Sequence, residues 1–138
     1  MRAEHLAFLV VIAFAVLFAA SLICSWVSYK KNLRNYERFL KKYREQGLFV
    51  DSITKVSEHL GFLFFYLKIA FFVRLLKNKK IYAAKGVLVD ERCYRYIQSR
   101  PAEEVKWMWE WRRNYFIQST LLCITLISCF IHSVVYNY

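Results

Sequence analysis

Residues 6–27 read LAFLVVIAFAVLFAASLICSWV, a run of 22 residues without a charged side chain. A helix needs about 20 predominantly apolar residues to cross the hydrocarbon core of a bilayer. The apolar part of a cleaved signal peptide is shorter, about 7–15 residues, and follows a positively charged start. Here Glu4 offsets Arg2. The run therefore predicts an uncleaved transmembrane helix within residues 1–28.

A second run of the same kind lies near the other end of the chain. Residues 116–135 read FIQSTLLCITLISCFIHSVV and contain no Lys, Arg, Asp or Glu in 20 residues. Their length and composition predict a second transmembrane helix. Together with a short outer tail, this helix occupies residues 116–138.

The overall composition fits a helical membrane protein. Of the 138 residues, 58% are hydrophobic, whereas soluble domains average about 45–50%. The chain has a net charge of +11, but its 19% content of aromatic residues excludes a disordered basic tail. Only three glycines and one proline argue against a turn-rich β protein and favour long helices.

A third apolar zone, residues 60–76, reads LGFLFFYLKIAFFVRLL and carries Lys68 and Arg74. Its Leu, Ile, Val and Phe residues favour membrane insertion by about 4–7 kcal/mol in total. The two cations oppose insertion by about 3 kcal/mol each or less. Hydropathy alone therefore leaves open whether this zone crosses the membrane.

The placement of charge decides the question. Residues 28–59 hold eight Lys and Arg residues, and residues 77–115 hold ten. If zone 60–76 crossed the membrane, one of these basic stretches would cross as well, against the positive-inside rule. We therefore expect an interfacial or re-entrant helix at 60–76, whose cations extend to the headgroups. Both termini are then periplasmic, residues 28–115 are cytoplasmic, and the protein lies in the bacterial inner membrane.

The segments between the apolar zones complete the predicted fold. Residues 29–59 form a basic cytoplasmic stem and turn, in which Gly47 is the expected end of a helix. Residues 77–115 form a second basic segment, with a helix that begins near Ser99 and has Pro101 in its first turn. The prediction is an all-α membrane protein. Its two transmembrane helices extend into the cytoplasm and are joined by an amphiphilic helical hairpin.

Three sets of residues are candidates for function. Small or hydroxylated residues at four-residue spacing let membrane helices approach closely, within one chain or between copies. This packing set comprises Ala15, Ala19, Ser21, Ser25, Thr125, Cys129 and Ser133. The residues expected to perturb the membrane belong to the hydrophobic hairpin and are Phe64, Phe65, Lys68, Phe71 and Phe72. The residues expected to contact anionic headgroups or a partner are Lys30, Lys31, Arg34, Arg112 and Arg113.

The sequence contains no pattern typical of a catalytic or cofactor-binding site. Its four cysteines form no Cys-x-x-Cys pair, and its three histidines are too scattered for a metal site. Phosphate-binding loops, nucleophile elbows and zincin motifs are missing. We therefore expect no enzyme, no cofactor and no bound metal.

Several short segments resemble the universal stress protein B family, small two-span membrane proteins of enteric bacteria. They are a charge-poor N-terminal span, the stem around Asn32-Leu33-Arg34, the turn Gln46-Gly47-Leu48-Phe49, and Arg112-Arg113 followed by Phe116-Ile117 and Ser119. The resemblance implies a two-span membrane protein linked to stress. It carries over no functional residue, because the family offers no catalytic motif. This chain also has a more hydrophobic middle zone than expected of that family.

Two functions follow as expectations. The first is a non-enzymatic effector, linked to stress or phage defence, whose hairpin and spans assemble and perturb the membrane when triggered. Small two-span proteins serve as membrane-attacking effectors in phage-defence systems such as retrons, which is an analogy of architecture. The alternative is a membrane adaptor that anchors a cytoplasmic or nucleoprotein partner through its basic stems. The expected partners are anionic lipid headgroups, further copies of the chain and that cytoplasmic partner.

Overall fold

The computed structural model describes residues 2–136, so Met1 and the last two residues of the predicted outer tail lie outside the described residues. The chain divides into two compact units. The apolar unit contains the residues up to Val27 and those from Arg113 onward, and the central unit is Ser28–Arg112. The elements in chain order are α1 (Ala3–Glu45), α2 (Ser52–Ser57), a 3-10 turn (Phe62–Phe64), α3 (Phe65–Leu76), β1 (Tyr82–Ala84), β2 (Val87–Leu88), α4 (Glu91–Gln98) and α5 (Ala102–Tyr136).

The two longest helices are the ones that contain the predicted spans. Helices α1 and α5 are long and apolar enough to cross a membrane. No residue in the most apolar 18-residue stretch of either helix is buried in the protein, so their outer faces remain uncovered. A mostly helical chain with two candidate membrane helices is therefore confirmed.

Backbone signals explain where the long helices end and begin. Helix α1 ends at Glu45, and Gly47 follows with a φ of +66°, a left-handed conformation that glycine adopts without strain. Helix α5 begins at Ala102, directly after Pro101. Ser99 is the C-cap of α4 and not the start of α5, so the predicted start of the second stem moves by three residues.

The sequence prediction omits three elements between α3 and α5, the strands β1 and β2 and the helix α4. Strands β1 and β2 pair antiparallel around Gly86, whose φ is +77°. Asp90 then starts α4, because its side chain accepts a hydrogen bond of 2.9 Å from the backbone N–H of Arg92. The two strands are short and exposed, so they leave no alternating apolar pattern in the sequence.

The core of the central unit is aromatic. Phe39 and Tyr43 of α1 pack edge-on against Phe72 of α3, with ring centroids 5.0 and 5.1 Å apart. Trp107 and Trp111 of α5 pack edge-on against each other at 5.1 Å. Aromatic pairs at such distances contribute about 0.5–1.5 kcal/mol each beyond the burial of their surface. The stems of both long helices are therefore held to α3 by ring contacts.

Helix α3 lies in this core, while the interfacial or re-entrant placement predicted for 60–76 stays a prediction. Ile69, Phe72 and Leu75 are completely buried, and Arg74 is exposed at the C-terminal end. Seven of the 12 residues of α3 are buried and Arg74 alone is exposed, so protein covers most of the surface of this helix. A helix in the core of a protein and a helix at a membrane surface share this composition, which is why the sequence did not separate them.

Candidate helix-packing face and basic surface

Within the apolar unit, each long helix has one covered face. On α1 the covered positions recur at spacings of three and four residues, and they are Ala7, Val11, Phe14, Phe18, Ser21, Leu22 and Ser25. On α5 they are Gln118, Ser119, Leu121, Ile124, Thr125, Ser128, His132 and Tyr136. The rings of Phe8 and His132 lie 5.8 Å apart, so the two helices meet in this unit. The spans pack against each other along these faces.

The structure places only part of the predicted packing set on the covered faces. Ser25 is buried, and Ser21 and Thr125 are half-buried. The remaining residues of the set, Ala15, Ala19, Cys129 and Ser133, are exposed, so their predicted packing between copies of the chain stays a prediction. A four-residue spacing drifts around a helix of 3.6 residues per turn, so Ser128 takes the place expected for Cys129.

The polar groups on the covered faces differ in whether they have a hydrogen-bond partner. The hydroxyls of Ser21 and Thr125 donate to the backbone carbonyls of Phe18 and Leu121, at 2.7 and 2.8 Å. The side-chain nitrogen of Gln118 is buried and has no hydrogen-bond partner among the described residues. Such an amide in an apolar setting favours association with any polar group that reaches it.

The residues predicted to perturb the membrane occupy two different environments. Phe65, Phe71 and Phe72 are buried in the central unit, and Phe64 is exposed. Phe65 packs edge-on against Trp111 with ring centroids 6.1 Å apart, and Phe71 against Phe49 at 6.0 Å. The structure therefore makes these rings part of a folded core, while the role predicted for them after a trigger stays a prediction.

Lys68 is the one buried cation of α3 and points into the protein, not towards headgroups. Its Nζ donates to the backbone carbonyl of Glu58 at 3.3 Å and lies 5.4 Å from the centre of the Tyr36 ring. Burial lowers the pKa of Lys68 below its ordinary value, and the negative charges of Glu58 and Glu37 partly oppose that shift. The side chain of Glu58 pairs with Arg44. Lys68 thus ties α3 to the end of α2.

Two buried tyrosines of α1 complete this side of the core. The hydroxyl of Tyr43 donates to the carbonyl of Phe49 at 2.8 Å and so holds the segment after α1 against its last turns. Burial raises the pKa of both Tyr36 and Tyr43 well above the usual range. Both phenols therefore remain neutral in the folded protein at physiological pH.

A polar cluster joins the two stems at one end of the central unit. The hydroxyl of Ser28 donates to Glu110 at 2.8 Å, and the side-chain nitrogen of Asn32 lies 3.5 Å from the other carboxylate oxygen. The indole nitrogen of Trp111 donates to the carbonyl of Ser28 at 3.4 Å. Sequence reasoning missed this cluster. The signal in the sequence was Ser28 and Asn32, two polar residues four positions apart among apolar residues of α1, together with Glu110 on α5.

The surface of the central unit is strongly basic. Residues 28–112 contain 19 Lys and Arg against 9 Asp and Glu, a net charge of +10 out of the +11 of the chain. Sixteen of these 19 cations are exposed. The exposed set includes Lys30, Lys31 and Arg34 of the predicted contact residues. Arg112 is half-buried with its guanidinium 5.9 Å from the ring of Trp109, and Arg113 is exposed at the start of the apolar unit.

A cavity of about 260 Å³ opens between α1, α4 and the start of α5. Arg38, Lys42 and Arg100 line it together with Glu103 and Glu104. The guanidinium of Arg100 lies 4.4 Å from the ring of Tyr96. Because the carboxylates offset most of the positive charge, this cavity does not define an anion site.

Chemistry-bearing side chains are dispersed over the described residues. No group of three or more His, Cys, Asp or Glu residues within 2–136 could hold a metal ion. Cys93 is buried, whereas Cys24, Cys123 and Cys129 are exposed on the long apolar helices. Comparisons with protein-family models, with curated proteins and with solved structures found no match to this chain.

Proposed function

We propose that the chain is a two-pass inner-membrane adaptor that acts without enzymatic chemistry. In this proposal α1 and α5 cross the membrane, both termini are periplasmic, and the central unit is cytoplasmic. Its basic surface holds an acidic cytoplasmic partner, a protein or a nucleoprotein, at the membrane. The observation that carries the proposal is a packed unit with a net charge of +10 between two helices that are apolar enough to span a bilayer.

The charge distribution supports this orientation. Residues 28–115 hold 18 Lys and Arg outside zone 60–76, whereas the segment before the first span holds only Arg2. Basic segments between spans stay on the cytoplasmic side under the positive-inside rule. Because α3 lies in the core of the central unit, only α1 and α5 cross the membrane in this proposal. All of these cations then lie on the same side.

The burial of α3 favours the adaptor over damage by an inserted hairpin. Moving this helix into lipid would first remove Ile69, Phe72 and Leu75 from the core. The rings of Phe39 and Tyr43 that pack on Phe72 would then be uncovered, so the central unit would lose part of its core before insertion. A folded basic unit is a surface for binding and does not itself disrupt a membrane.

The exposed cations of the central unit indicate the chemistry of the partner. Most of the exposed cations are lysines, which are compact and strongly hydrated, and they suit a diffuse acidic surface better than a shaped pocket. Binding of this kind weakens as salt rises, because the charges are solvent-exposed. Anionic headgroups compete for the same cations at about 1 kcal/mol per residue near the surface.

The test measures cell damage and charge-dependent binding on the full chain. Expression should leave growth and membrane potential unchanged. The purified chain in phosphatidylcholine vesicles should co-float with polyglutamate or with single-stranded RNA at low salt and release it at high salt. The triple variant Lys30→Glu, Lys31→Glu, Arg34→Glu should weaken this binding. Loss of membrane potential on expression, or no binding of either polyanion, contradicts the adaptor.

A second function, assembly into a membrane-damaging effector linked to stress or phage defence, is favoured by one observation. The small residues that do not join the two spans face outward on the apolar unit, and they are Ala15, Ala19, Cys129 and Ser133. Small residues at four-residue spacing let a second copy approach closely in lipid. In this case damage comes from the spans and not from α3. Depolarisation that persists when α3 is kept folded would favour the effector.

A further inference from the structure

The turn before α3, residues 60–64, exposes large apolar side chains at its tip. Leu63 is 76% exposed and Phe64 is 47% exposed. Leu63 is more exposed than any large apolar side chain of the described parts of α1 and α5, where Phe130 reaches 69%. Large apolar side chains exposed side by side at such a tip favour contact with an apolar surface.

Ring contacts fix the place of this turn within the central unit. The ring of Phe62 lies 5.7 Å from Tyr29 and is stacked on Phe65 at 5.6 Å. Tyr29 in turn lies 5.3 Å from Trp111. Tyr29 and Trp111 are at the two ends of the central unit in the sequence, where the chain continues into the two candidate spans. The turn therefore lies at the end of the unit from which both spans leave.

The charges around the turn suit an anionic surface. Residues 59–89 contain no Asp or Glu. Lys30 and Lys31 follow Tyr29 directly and are both exposed. Apolar tips flanked by lysines and aromatic rings match the boundary between headgroups and acyl chains, where aromatic rings and snorkelling cations are stable.

We propose that Leu63 and Phe64 insert into the cytoplasmic interface of an anionic bilayer as a third membrane contact beside the two spans. The insertion depth is about 5–10 Å, as for other interfacial segments. This contact holds the turn before α3 at the membrane surface. The inference rests on the proposed two-span topology and adds a lipid-binding element that the topology does not require.

The experiment uses the full chain in vesicles of phosphatidylglycerol and phosphatidylethanolamine. Cys24, Cys123 and Cys129 are replaced by serine, and the buried Cys93 is kept. An environment-sensitive fluorophore is attached at Leu63→Cys or, as a matched control, at Val87→Cys. Val87 is 57% exposed and lies past the other end of α3. The length of that helix, 12 residues, corresponds to about 18 Å.

The two positions should respond to opposite quenchers. At position 63, a spin label on the lipid chain quenches several-fold more than at position 87, and aqueous iodide quenches several-fold less. Equal iodide quenching at both positions overturns the third contact while leaving the two-span topology intact. A chain that does not float with the vesicles overturns both the contact and the proposed function. Phe64→Cys provides a second probe of the same tip and should behave as position 63 does.

Discussion

Helix α3 and the spanning part of α5 are both apolar, yet their surroundings differ completely. The side chains of α3 are covered by protein, with Ile69 and Phe72 fully buried, whereas Phe130 and Ile131 of α5 are more than half exposed. The lengths explain the difference. Helix α3 has 12 residues, and at 1.5 Å per residue it covers about 18 Å, well short of a bilayer core of about 30 Å.

Apolar residues of the same kinds are therefore covered by protein in α3 and exposed in the long helices. A helix too short to span can still be apolar all round if neighbouring helices cover it. A long helix with one covered face leaves the other face for lipid. The same apolar density therefore stabilises a packed unit in one region and forms a candidate membrane helix in the other. Substitutions that are equivalent in chemistry but differ in region should have different effects.

The largest expected effect is the loss of a core ring. Phe72→Ala removes a fully buried ring that packs on Phe39 and Tyr43, and it should lower the free energy of unfolding of the central unit by about 3–5 kcal/mol. Phe64→Ala, in the same apolar zone but exposed, should change it by less than about 1 kcal/mol. Denaturation of the full chain in detergent, followed by tryptophan fluorescence, measures both. Similar losses for the two variants would contradict the assignment of α3 to the core.

The next effect concerns neighbouring residues on the second span. Ser128 is half-buried on the covered face, and Cys129 is exposed beside it. Ser128→Phe should overpack the joined spans and cost about 1–3 kcal/mol, whereas Cys129→Phe only displaces lipid chains.

The amount of each variant that accumulates in the membrane, and its resistance to detergent denaturation, report the difference. If Cys129→Phe is the damaging variant, the small residues facing outward form a seam between copies. That result would favour the effector over the adaptor.

The smallest effect is the pH dependence from Lys68. Because burial holds its pKa below the ordinary value of 10.5, the unfolded chain binds the proton more readily than the folded chain. Lys68 therefore destabilises the fold at neutral pH, and this penalty fades as the pH rises. Lys68→Met should be neutral or stabilising, on the order of 1 kcal/mol, at about pH 7.

The measurement is the difference in unfolding free energy between the unsubstituted chain and Lys68→Met. This difference should move in favour of the unsubstituted chain between about pH 7 and about pH 10. Tyr36 and Tyr43 are present in both proteins, so their ionisation largely cancels in the difference. A difference that is constant over this range would show that Lys68 is not desolvated.

The sequence predicts those parts of the fold that depend on length and on the order of apolar and charged residues. The two long helices and the end of α1 before Gly47 follow from local rules, and the start of α5 follows from them to within three residues. The burial of zone 60–76 does not follow from these local rules, because it depends on which parts of the protein cover α3. Phe39, Tyr43 and Trp111 supply part of that cover, and they reach α3 only when the two stems pack against it.

The candidate site divides in the same way. Exposure of Lys30, Lys31 and Arg34 is predictable, because a cation leaves water only when it is paired. Which face of α5 packs against α1 depends on a rotation of the helix that corresponds to one residue. Ser128 is half-buried, whereas the adjacent Cys129 is exposed. The Ser28–Glu110 contact joins residues 82 positions apart, and no local pattern contains that pairing.

The most direct test of the account asks on which side of the membrane the two flanks of α3 lie. Lys55 precedes α3 and Lys85 follows it, and both are exposed. Cysteines introduced one at a time as Lys55→Cys and Lys85→Cys are treated with a membrane-impermeant maleimide, with the unsubstituted chain as control. We expect labelling of both positions in inverted inner-membrane vesicles and of neither in intact spheroplasts. Labelling of the two positions from opposite sides would mean that α3 crosses the membrane, and it would contradict a central unit folded around it.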